Sequence, residues 1–87
     1  MSQSDQKPTG RQIAAARTLL GMSQPELAAR ANISVPTLKR MEASDGPASG
    51  IANNVLAVRT ALEAAGVEFI PENGSGAGVR LKKSVIM

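Results

Sequence analysis

Apolar positions along the chain recur first at steps of three and four residues and only near the end at steps of two, so the pattern predicts helices followed by a short extended region. The first helical stretch opens at Thr9, with Gln12 three residues on. That spacing predicts a capping box, in which each side chain satisfies a backbone donor of the other. Ile13, Arg17 and Leu20 share its inner face, and Gly21 is placed to end it in a left-handed conformation. Ser23 and Glu26 repeat the capping spacing and start a second helix carrying Leu27, Ala28 and Ala31. This helix stops at Asn32, a residue type that tolerates a left-handed backbone. Ile33 follows as an apolar plug. Ser34 then caps a third helix, on which Leu38 and Met41 lie on one face while Thr37, Lys39 and Arg40 point elsewhere. Pro25 and Pro36 each fall two places after a cap, where a helix has no use for the missing N–H.

The punctuation Asp45-Gly46-Pro47 marks a loop over Ala43 to Gly50. Beyond it Ile51, Val55, Val58, Leu62 and Ala65 define the buried stripe of a fourth helix ending at Gly66, with Ser49 or Asn53 as its cap. Leu56 lies off that stripe, as a satellite core residue or part of an interface. After Gly66 the period changes. Val67 to Ile70 and Val79 to Lys82 read as strands of a hairpin around a loop of Pro, Asn and glycines. A two-stranded ribbon is marginal alone, so these strands should pack on the helices or pair with a second copy across a two-fold axis. The glycines Gly74, Gly76 and Gly78 do not form a phosphate-binding loop, because no helix follows them; a flexible linker fits better. The fold class is therefore mostly α: a compact four-helix domain over 9–66 and a short C-terminal strand pair or extended tail over 67–83. A flexible arm over 1–8 precedes it and a frayed end over 84–87 closes it.

The stretch from Ser23 to Glu42 resembles the helix-turn-helix of lambda-repressor-like (Xre/Cro type) regulators. The features that carry the likeness are Gln24 at the start of one helix, the Leu27-Ala28 pair, the turn at Asn32, the hydrophobe Ile33, the cap Ser34 and the closing Glu42. The resemblance spans roughly Gln12 to Leu62 and implies a regulator of transcription, a repressor, that binds double-stranded DNA. In that reading the helix over 34–42 enters the major groove and the preceding helix crosses the backbone. Gln24 would meet a phosphate. The groove contacts would come from Ser34, Val35, Pro36, Thr37, Lys39 and Arg40, with Arg40 suited to guanine, Val35 and Thr37 to a thymine methyl, and Lys39 to a phosphate. The likeness also implies that Arg17 pairs with Glu42, which would explain an arginine on an inner face; the alternative is that Arg17 itself contacts a phosphate. Recognition helices of this family often open on polar base readers, whereas this one opens on Val35-Pro36. That departure motivates a second reading, in which Val35, Pro36, Leu38 and Leu56, with Val67 and Phe69 of the tail, form an apolar surface that docks on a transcriptional activator and blocks it.

Composition narrows the remaining chemistry. The chain has 87 residues and neither cysteine nor histidine, so it offers no disulfide, no thiolate or imidazole metal site, and no catalysis by either side chain. No serine sits in a nucleophile elbow and no acid or base pair has catalytic spacing, so neither an enzyme nor a cofactor is expected. Ten basic against seven acidic residues give a formal charge of +3. The excess gathers on the motif, where Arg11, Arg17, Arg30, Lys39 and Arg40 face only Glu26; this is a polyanion-binding patch or a solvated helical surface. No apolar run reaches the ~20 residues of a membrane span and the polar MSQSDQKP start is unlike a signal peptide, which predicts a cytoplasmic protein. A chain this small buries only about 60% of its unfolded surface, so a homodimer is physically plausible.

Overall fold

The computed structural model describes residues 7–72 and 74–83. Four helices, α1 (Gly10–Leu20), α2 (Gln24–Ala31), α3 (Val35–Glu42) and α4 (Ala52–Ala64), are followed by strands β1 (Val67–Ile70) and β2 (Gly78–Leu81). The arm expected over 1–8 lies outside the described residues as far as residue 6, as does the end over 84–87. Pro8 is held in place: it is buried, and its carbonyl accepts the Ala48 N–H at 3.0 Å.

Local sequence accounts for most helix ends. Thr9 and Gln12 form the complete capping box of α1, and Gly21 closes that helix at φ 72°. Asn32 closes α2 at φ 59°. After both helices the next residue reaches back five positions, Met22 N–H to the Arg17 carbonyl and Ile33 N–H to the Ala28 carbonyl, so the orphan carbonyls are satisfied and the chain turns sharply. At α2 only half of the expected box forms. The Ser23 hydroxyl accepts the Glu26 N–H, but the Glu26 carboxylate turns to Arg30 one helical turn on.

The start of α4 differs from both expected caps. Its N-cap is Ile51, which supplies no side-chain hydrogen bond. Ser49 is unavailable because its hydroxyl donates to the Arg40 carbonyl at the end of α3. Ile51 therefore precedes the helical stripe it was expected to lead and is 69% exposed, while Val55, Val58 and Leu62 are buried. Leu56 is exposed.

The inner faces of all four helices meet in one core around Ile13, Leu27, Leu38, Met41, Val58 and Leu62. The strands pair antiparallel, with Val67 opposite Leu81 and Ile70 opposite Gly78, and β2 begins one residue earlier than its pattern suggested. Val67 enters the core with no exposed surface. The hairpin lies on α1 and α4, β2 chiefly over α1 and β1 over α4. Gln12 fixes it there: its side-chain amide, buried, donates to the carbonyls of Ile70 and Gly78 at 3.2 and 2.9 Å while its oxygen accepts the Thr9 N–H.

Candidate nucleic-acid interface

The helix α3 is held from three sides. Leu38 and Met41 face inward with no exposed surface. At its start, the Ser34 hydroxyl accepts the Thr37 N–H at 3.2 Å and donates to the Thr37 hydroxyl at 2.8 Å. At its end, Glu42 receives two bonds from Arg17, Nε to Oε2 at 2.8 Å and Nη2 to Oε1 at 3.1 Å, and one from Gln24 Nε2 to Oε1 at 3.0 Å. Arg17 completes its set by donating to the Met22 carbonyl. The Glu42 side chain is only 7% exposed, so this fork joins α1, α2 and α3 away from water. The hydrogen bond to Glu42 raises the Arg17 pKa above its ordinary value, against a smaller opposing effect of burial.

A close contact between backbones supports the same end. Gly10, in the first turn of α1, sits against the last carbonyls of α3, where an added Cβ would come within 2.5 Å of the Met41 oxygen and 2.7 Å of that of Ser44. The positive start of one helix thereby meets the negative end of another.

On the opposite face of α3, Pro36, Lys39 and Arg40 are exposed, and Val35 and Thr37 are half-buried. Five basic residues were expected to gather on the motif, but three are neutralised: Arg11 by Asp45, Arg17 by Glu42 and Arg30 by Glu26. Among the described residues no carboxylate pairs with Lys39 or Arg40, so the free charge of this surface is theirs.

Other candidate residues fall differently from their expected roles. Gln24 spends a side-chain N–H on Glu42, so its reach toward a phosphate is shared with a structural bond. Ser34 has its hydroxyl committed to the cap and to Thr37, which leaves the Thr37 proton as the free polar group of the helix start. Leu38 and Val67 cannot belong to a docking surface, because the core buries both completely. Phe69 is half-buried with the Arg59 guanidinium 5.3 Å from its ring centre. Two residues that matter here had no assigned part in the site, Gly10 and, beyond its cap, Gln12. A glycine at the first position of a well-capped helix is costly unless something must come close, and that was the available signal.

A helix-turn-helix family model matches residues 13–51, from α1 to the residue before α4. This segment is a helix-turn-helix domain of the Xre/Cro/lambda-repressor-like type, a kind of domain found in DNA-binding regulators of transcription. No curated protein matches the chain. No helix of the described residues is long and apolar enough to cross a membrane.

Proposed function

We propose that this protein is a transcriptional repressor that binds duplex DNA by seating α3 in the major groove. The observation that carries the reading is the pair Lys39 and Arg40, exposed and without an acidic partner among the described residues, on a helix whose other face is locked into the core. Arg40 makes the bidentate contact to guanine, worth about 1 to 3 kcal/mol of discrimination, and Lys39 meets a phosphate. Val35 and the methyl of Thr37 read thymine methyl groups. Backbone amides at the start of α2, with what Gln24 has left to donate, hold a second phosphate. Arg17 and Glu42 touch no DNA; they set the angle at which α3 is presented.

The test is enrichment of random duplexes by the purified protein at near-physiological salt. A specific motif is expected, and replacing Lys39 and Arg40 together by Ala should abolish its retention. Lys39→Ala alone should weaken binding to all sequences and reduce the slope of log affinity against log salt by about 0.9. If a folded protein enriches nothing, the reading fails.

The apolar opening of α3 and the 60% exposure of Leu56 favour a second reading, docking on a transcriptional activator to inhibit it. With Leu38 and Val67 buried, the residues left to it are Val35, Pro36, Leu56 and the half-buried Phe69. This reading is the better one if Val35→Asp destroys activity in cells while the Lys39 and Arg40 substitutions leave it intact.

A further inference from the structure

The ion pairs of this chain are sorted by residue type. Among the described residues all five take an arginine and none takes a lysine. The one described carboxylate outside these pairs is Glu72, which lines a cleft at the loop end of the hairpin together with Lys7. At the other end of the hairpin stand Lys82 and Lys83, both exposed. Glu68 gives both of its oxygens to Arg80, at 3.2 Å each, and Lys82 adds only its field to that carboxylate. Besides Lys39 and Arg40 on α3, these are the only neighbouring cations of the described residues that lack an ion pair.

The fold decides where this pair lies. The Gly78 carbonyl accepts from Gln12 in the first turn of α1, and Val79 borders Thr18 and Leu19 near the last, so β2 runs along α1 in the same direction. A strand advances about 3.3 Å per residue against about 1.5 Å for a helix, so the four residues after Val79 carry the chain past the end of α1. There α1 turns through Gly21 and Met22 into Ser23 and Gln24, the start of α2. Lys82 is fixed at this level by its own N–H, which bonds to the Gly66 carbonyl at 2.7 Å.

We propose that Lys82 and Lys83 form a second contact to duplex DNA, meeting backbone phosphates beyond the one held at the start of α2; the placement rests on the DNA reading above. The carboxylates near that start do not cancel the charge, since Glu26 is taken by Arg30 and Glu42 by Arg17 and Gln24. An ammonium on a long stem acts as a point charge, which suits a phosphate and reads no base. Alternation along an extended chain puts Lys82 on the face of Arg80 and Lys83 on the other, so the two meet separate phosphates. The helix α3 then supplies the sequence preference, while the end of the hairpin supplies affinity that is blind to sequence and sensitive to salt.

The variant Lys82→Gln with Lys83→Gln keeps both stems and removes both charges, and the bond of the Lys82 N–H survives because it is made by backbone. Its circular dichroism spectrum should match that of the wild type. Its affinity should fall at least about tenfold near 0.1 M salt, by the same factor for a duplex carrying the enriched motif and for one of scrambled sequence. The slope of log affinity against log salt should drop by about 1.8, which is about 0.9 for each phosphate, with the motif itself unchanged. Arginine at both positions should restore the slope. Neutral methylphosphonates at the phosphates flanking the motif should weaken the wild type to the same extent and leave the double variant unaffected, a comparison that needs no change to the protein fold. The proposal is overturned if the slope does not move, if the loss is confined to the motif duplex, or if neutral flanks weaken the variant as much as the wild type. Should replacement of Lys39 and Arg40 abolish binding while replacement of Lys82 and Lys83 leaves the slope untouched, the DNA reading stands and the hairpin contact falls. The opposite pattern overturns the seating of α3 and leaves the hairpin contact standing, and a wild-type protein with no affinity for duplexes overturns both.

Discussion

Gly10 stands where any side chain would collide with the end of α3. Its role is clearance, since the carbonyl oxygens of Met41 and Ser44 occupy the place of a Cβ. Helix propensity alone would make Gly10→Ala stabilising by about 1 kcal/mol, whereas forcing a methyl against backbone costs about 1 to 3 kcal/mol. The collision wins, because backbone carbonyls tied into a helix end cannot swing aside. Urea denaturation of Gly10→Ala should show a net loss of up to about 2 kcal/mol, with the largest amide shifts at the end of α3. At the same scale, the Arg17–Glu42 pairing was legible from the resemblance of the motif, but the share taken by Gln24 was not. An amide on that helix start can reach outward or inward, and only the position of Glu42 decides.

Among the helices, α1, α2 and α3 begin at Thr9, Ser23 and Ser34, each of which accepts a backbone N–H of its own first turn, and α4 begins at Ile51 with no such bond. An exposed isoleucine at a cap gives nothing to the helix behind it. Ile51→Ser should therefore stabilise the protein by about 0.5 to 1 kcal/mol. In a thermal scan this would raise the midpoint by about 4 to 8 °C per kcal/mol for a domain of this size. The three capped starts and the stops at Gly21 and Asn32 were readable because they depend on residues a few positions apart. The start of α4 was misread because Ser49, a good cap by sequence, is drawn to a carbonyl of α3. The two strands announced themselves by their change of period. That β2 would lie along α1, and that Val67 would be fully buried, depended on how distant elements pack, which no local pattern encodes.

Across the whole molecule the hairpin and the helix-turn-helix meet at Gln12. Gln12→Glu separates the two jobs of this residue, since a carboxylate still accepts the Thr9 N–H but cannot donate to Ile70 and Gly78. Loss of those bonds at a buried site should cost about 1 to 3 kcal/mol. Hydrogen exchange should quicken in β1 and β2 while the first turn of α1 keeps its protection. The same amide also bears on how the fold behaves in time. It ties residues 58 and 66 positions apart, while the caps and turns of the helices join residues only three to five apart. Long loops close at a greater entropic cost than short ones, so the helical part should assemble before the hairpin is clasped. Contacts made that late stand outside the transition state, and losing them hastens unfolding without slowing folding. In stopped-flow measurements Gln12→Glu should therefore quicken unfolding and leave the folding rate unchanged, so that this one amide governs the lifetime of the folded domain more than the speed of its assembly.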